Sequence, residues 1–193
     1  MALRINGIGG KYILPNVLRS KYRFSAFDGP TLTYRESLPN GRSQVKSVNM
    51  KRKIDVAWEF ITKRAAAHTP CNNYFKTLLR RKSLKEVLVE GDIVLHCLVP
   101  KDGYTLADLP DACTAGRDIG INPYLLIDDK IGLAPVLIHE LAHVAGASTN
   151  PDPYDKQSLA AEKALLHCLC SKQYRPEAIG SIQIQGSGGS RIV

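Results

Sequence analysis

Hydrophobic positions along this chain follow two periods, one β-like and one helical. In residues 1–49, short β-like runs at 11–14, 21–27, 31–34 and 44–48 are punctuated by Asp28-Gly29-Pro30 and Pro39-Asn40-Gly41, which predict turns. From 50 to 68 the period lengthens. Ile54, Ala57, Trp58 and Ile61 recur at helical spacing and predict an amphipathic helix that Thr69-Pro70 ends. Residues 71–80 predict a second helix with Tyr74, Phe75, Leu78 and Leu79 turned inward, and Ser83 caps a third that runs through Val89. Trp58, Tyr74 and Phe75 read as core. The unbroken apolar run at 93–99 reads as a buried strand closed by Pro100. A polar loop follows over 101–112, then strand-like material at 114–122 and 124–127. Two helical stretches, 136–146 and 158–170, come next. Past Arg175-Pro176, residues 181–185 predict an edge strand and 186–190 a flexible tail.

The pattern predicts an α+β fold, with helices packed on a small mixed sheet and the 136–146 helix buried. Three parts follow: a β-rich extension or subdomain at 1–49, a main domain at 50–180 and a tail at 181–193.

The buried helix carries the chemistry. Val136 to Gly146 contains His139-Glu140-Leu141-Ala142-His143, an H-E-x-x-H motif inside an apolar run. Histidines four apart share one helix face, so both imidazoles can meet one tetrahedral zinc ion, and Glu140 stands beside them as general base toward water. Pro135 suits the first helical turn and Gly146 the position after the last. The same five-residue pattern also occurs on solvated helices, where its glutamate pairs with a lysine. The flanks Leu137, Ile138, Leu141 and Val144 disfavour that setting.

A catalytic zinc site takes a third protein ligand. The longer H-E-x-x-H-x-x-G-x-x-H pattern would place a histidine where this chain has Thr149. The remaining candidates are Glu162, Asp152 and Asp155. In the 158–170 helix, capped by Asp155 or Ser158, Glu162 falls within a stripe formed by Leu159, Leu166 and Leu169, which aims its carboxylate inward. Glu162 is therefore the expected ligand, with the two aspartates as alternatives. An oxyanion donor would complete the site. Tyr154, in the loop between the two metal helices, is placed ahead of Arg117 and His167.

The segment His139-Glu140-Leu141-Ala142-His143-Val144 with Gly146-Ala147, then Ala161-Glu162, Leu165 and Cys168, resembles the zincin-like metallopeptidase toxin domains of bacterial secretion-system effectors. Cys71-Asn72, Tyr74-Phe75, Ser83-Leu84 and Asp118-Ile119-Gly120-Ile121 are similar to the same group. The resemblance spans roughly residues 70–172. It implies a zincin-like metallopeptidase fold and a Zn2+-dependent hydrolase of peptide bonds, delivered as an antibacterial effector. It also implies a peptide or protein substrate, with a cognate immunity protein and a secretion-system carrier as partners. A strand ahead of the motif helix would line the cleft and pair with an extended peptide. Two other readings remain open: a zinc amidase acting on peptidoglycan peptides, and a non-catalytic binding module stapled by metal, which would need a fourth protein ligand.

Charge and cysteines alter this picture little. The net charge of +8 is spread over Lys51-Arg52-Lys53, Lys63-Arg64 and Arg80-Arg81-Lys82, without the interleaved aromatics of a single-strand binder, so no specific nucleic acid is expected. No run is long enough to span a membrane, and no signal-peptide pattern opens the sequence. The expectation is synthesis in the cytoplasm and delivery by a secretion system to the periplasm or cytoplasm of a target cell. The five cysteines read first as buried apolar thiols, with a Cys71–Cys168 disulfide as the alternative in an oxidising compartment. His96 reads as a satisfied core or rim residue.

Overall fold

The computed structural model describes residues 3–8, 19–38, 41–127, 132–148 and 159–168. It is α+β, with a small mixed sheet and helices against one face. The sheet is built on β5 (Ile93–Pro100). Along one edge, β1 (Leu3–Ile5) runs parallel to its first half, Leu3 opposite Ile93, and β2 (Tyr22–Ser25) runs antiparallel to its second half, Tyr22 opposite Pro100. On the other side β7 (Asp118–Ile121) is parallel to β5, and β6 (Ala112–Ala115) pairs antiparallel with β7 as the outermost strand. A separate hairpin joins β3 (Thr31–Ser37) to β4 (Ser43–Asn49).

Strand alternation sorts the side chains of the sheet. Ile93, Leu95, Ile119 and Ile121 enter the main core beside Ile54, Ile61, Leu137 and Leu141. The opposite face holds a smaller cluster of Phe24, Leu98 and Leu109. Here Gly120 is needed for close approach, because a Cβ on it would lie 2.3 Å from Leu98 Cδ2 and 2.7 Å from Phe24 Cε1.

Helix α1 (Met50–Lys63) starts at Asn49, whose side chain accepts from the Arg52 amide. It stops five residues short of the expected end, and a 3-10 turn follows at Ala65–Ala67. Thr69 and Pro70 then open α2 (Thr69–Phe75) rather than closing α1, since proline's missing N–H costs nothing in a first turn. The expectation that α2 reaches Arg80 with Leu79 inward is overturned. The chain leaves the helix after Phe75, Arg81 takes a positive φ, and Leu79 is 84% exposed. Helix α3 (Leu84–Val89) carries the full capping box of Ser83 and Glu86. The strand expected at 124–127 is instead a short helix, α4 (Tyr124–Ile127). Helices α5 (Leu133–Val144) and α6 (Ala160–Cys168) pack on each other. The runs at 11–14 and 181–185 lie outside the described residues.

Cys71 and Cys168 form a disulfide that ties α2 to α6, so for this pair the free-thiol expectation gives way; Cys97 and Cys113 are free. Among the described residues no helix is long and apolar enough to cross a membrane.

Helix α5 ends in a Schellman motif. The Gly146 amide donates to His143 O and the Ala147 amide to Ala142 O, both at 2.9 Å, with Gly146 at φ +97°. Gly146→Ala would force a left-handed alanine and bring its Cβ to 2.8 Å from Leu79 Cβ. Denaturant unfolding is expected to show a loss of about 1–2 kcal/mol.

Candidate metal centre

Nine of the twelve α5 residues are buried, Glu140 among them. The histidines lie on the side that faces α6. The nearest ring nitrogens, Nε2 of His139 and Nε2 of His143, are 3.1 Å apart, and the rings meet edge to face. Two ligands of a tetrahedral zinc, each about 2.0–2.1 Å from the metal, stand about 3.3–3.4 Å apart. The two nitrogens are thus spaced for one cation. His143 Nδ1 lies 3.2 Å from Ala147 O, and since a carbonyl can only accept, Nδ1 carries the proton and Nε2 is left as the donor atom. The Schellman turn at Gly146 supplies that carbonyl. Burial, with the His143 charge second, holds His139 down at about 4, which keeps its imidazole neutral and fit to ligate.

Glu140 is only 4% exposed. Thr114 of β6 donates its hydroxyl to Glu140 Oε2 at 2.6 Å and lies 3.2 Å from Glu140 O. Burial raises the Glu140 carboxyl to about 7, against the Thr114 hydrogen bond and with the charge of Glu162 adding to the rise. A carboxyl poised there suits proton transfer near neutrality. Nothing in the sequence ties Thr114 to a glutamate 26 residues later. Only the sheet order, with β6 outermost beside α5, joins them. Thr114→Val is expected to lower turnover roughly tenfold, the low end of a misplaced base, while Thr114→Ser restores it in the same cleavage assay.

Glu162 reaches the site by a different face than expected. Leu159 and Leu166 are 43% and 36% exposed, and the buried face of α6 is Ala161, Ala164, Leu165 and Cys168. The two described leucines of the predicted stripe therefore lie on the outer side, Leu169 being outside the described residues; small residues seat this helix closely on α5 and α2. Glu162 borders the seated face. Its Oε1 lies 3.9 Å from His139 Nδ1, and its Oε2 is buried without a hydrogen-bond partner. The carboxylate thus stands off from the point the two Nε2 atoms share, and among the described residues no three His, Cys, Asp or Glu side chains close into a metal cage. A buried, unpaired carboxylate oxygen beside a second carboxyl group and two imidazoles nonetheless fits a divalent cation better than it fits apolar surroundings. His139 and Glu162 keep 27% and 30% side-chain exposure, so the site is open to solvent.

The remaining candidates separate. The Arg117 guanidinium donates to Val87 O and Gly91 O, both at 2.8 Å, and so serves the end of α3 rather than an oxyanion. His167 is exposed and stacks on Tyr74 at 4.5 Å. His96 is fully buried and satisfied, with Nδ1 3.1 Å from Asn6 Nδ2 and Nε2 2.8 Å from Asp118 Oδ1. Tyr154, Asp152 and Asp155 lie outside the described residues. On the far face of β6, burial raises the Cys113 thiol to about 11, so it remains protonated.

Compared with known proteins, the chain matches no family profile, no curated protein and no solved structure.

Proposed function

We propose that this chain is a zinc-dependent metallopeptidase of zincin-like fold that hydrolyses peptide bonds. The observation that supports this most is the pair of Nε2 atoms 3.1 Å apart on one helix, with a buried carboxylate between them in sequence and a second one arriving from α6. His139 and His143 would hold zinc through Nε2, and Glu162 through its carboxylate. When bound, the metal supplies a Lewis acid that polarises a carbonyl and acidifies water.

The chain's own residues do the rest. Thr114 occupies Glu140 Oε2, so Oε1 is the oxygen left to take a proton from water and pass it to the leaving amine. Among the described residues strand β6 ends the sheet next to α5, and its outer edge would pair with an extended peptide. The role of a secreted antibacterial effector, with its carrier and immunity protein, rests on the motif resemblance of residues 70–172.

The test is a cleavage assay on unfolded protein and on peptidoglycan peptides, with zinc, with a chelator, and with zinc restored. Cleavage of polypeptide that the chelator stops and zinc restores is expected. Cleavage confined to peptidoglycan peptides would move the reading to an amidase. Tight zinc binding without any cleavage would move it to a metal-stapled module.

A further inference from the structure

We infer that the Cys71–Cys168 disulfide is a positioning device for Glu162, and that Glu162 is held within reach of the two histidines only in the oxidised chain. This rests on the metal reading of His139, His143 and Glu162.

Most of a helix's stability in a protein comes from packing, so the setting of α6 depends on what holds it. Among its described residues the apolar hold is thin. Of the four buried positions there, Ala161 and Ala164 are alanines, and Leu165 is the one large side chain. Leu159 and Leu166, which could have added a grip, point outward. Alanines seat a helix closely but resist rotation about its axis poorly, and rotation by one residue, about 100°, would carry Glu162 away from His139.

Burial also works against the observed setting. Glu162 Oε2 is buried and unpartnered. Before a cation arrives, that pushes the carboxylate toward water.

Three ties to the α2 region oppose that push. Tyr74 Oη donates to Ala160 O at 2.7 Å at the start of α6. His68 Nδ1 meets His167 O at 2.9 Å near its end. The disulfide is the covalent tie, six residues beyond Glu162, and it anchors α6 to Cys71 beside the buried Phe75. Fixed near both ends, the helix resists sliding and turning, and Glu162 stays on the His139 side.

Reduction would be a two-electron exchange. A partner dithiol becomes a disulfide, and Cys71 and Cys168 each leave as a protonated thiol. Both cysteines are almost fully buried, at 0% and 1% exposure, so a reductant reaches them only after α6 lifts. The bond therefore belongs to folding in an oxidising compartment, and in a chain made where thiols stay reduced α6 keeps only its two hydrogen bonds to the α2 region, which leave Glu162 loosely set.

The experiment compares zinc affinity, by competition with a chromophoric chelator, in the disulfide-bonded wild type and in the Cys71→Ala/Cys168→Ala variant. Glu162→Ala is added to each, and His139→Ala serves as the ligand control. About 10–100-fold weaker binding is expected without the disulfide, the range for lost ligand support. Glu162→Ala should weaken the wild type and add little to the double variant. Equal affinity with and without the disulfide, or the same Glu162→Ala loss in both backgrounds, overturns the inference while leaving the metal site standing. Failure of the wild type to bind zinc, or indifference to His139→Ala, overturns the metal reading and this inference with it.

Hydrogen exchange provides a second measurement on the wild type after reduction with a phosphine, even if the double variant does not fold. Amides 160–168 should lose protection while those of α5 keep it. Unchanged protection of 160–168 overturns the inference.

Discussion

Glu140→Gln is expected to lower peptide hydrolysis by about 10²–10⁴-fold, the usual share of a general base, while zinc content stays at the wild-type level. Glutamine has nearly the same shape and retains a carbonyl oxygen to accept from Thr114, so the contact at 2.6 Å can survive the change. What is lost is the capacity to take a proton. The buried site is otherwise undisturbed, because a neutral amide replaces a carboxyl that burial already pushes toward neutrality. The check is steady-state cleavage together with metal analysis and thermal unfolding of the same preparation. Zinc lost along with activity would make Glu140 a ligand. Turnover like the wild type would remove the proposed mechanism altogether.

The legible part of the site is the part that is local in sequence. His139 and His143 share a helix face because four residues make slightly more than one turn, and the apolar flanks say that this helix is buried. Gly146 is legible for the same reason, since a helix stop needs a residue at ease with positive φ. The β5 strand was legible as a continuous apolar run because both of its faces are covered.

The parts that could not be read are those set by packing at a distance. Strand β1 has three residues, too few for a period to show even with the Asn6-Gly7 turn after it, and its pairing with Ile93–Leu95 makes it a strand. The Thr114–Glu140 contact needs the sheet order. The inward face of α6 was misassigned because large apolar side chains carry more weight in a periodicity reading than alanines. Here the close seat on α5 and α2 selects small residues and leaves Leu159 and Leu166 outside. Glu162 still comes to the site, on a helix turned differently from the one the stripe predicted. The disulfide is a similar case: Cys71 and Cys168 are 97 residues apart, and only the packing of α2 on α6 brings them together.

His139→Ala and His143→Ala are each expected to weaken zinc binding by about 10²–10³-fold and to abolish hydrolysis. The size follows from sharing the roughly 10–16 kcal/mol of a four-ligand zinc site among its ligands, which gives about 2.5–4 kcal/mol for each. The two substitutions should differ in their side effects. His143 also donates to Ala147 O, inside the turn that ends α5, so its removal should loosen the Gly146 turn as well as the metal. His139 makes no such backbone contact among those described, and its loss should leave the turn protected in hydrogen exchange. Glu162→Ala belongs in the same series. If Glu162 is the third ligand, its loss should weaken zinc binding by up to about 100-fold, the low end of the histidine range. If Asp152 or Asp155 holds that place, Glu162→Ala will leave zinc affinity unchanged while the aspartate variant loses it. The competition assay for zinc decides between them, since a carboxylate that merely borders the site contributes no bond to the metal. The orphaned Oε2 of Glu162 is the physical reason to expect the first result, because a buried carboxylate oxygen with no donor has its energy lowered most by a cation.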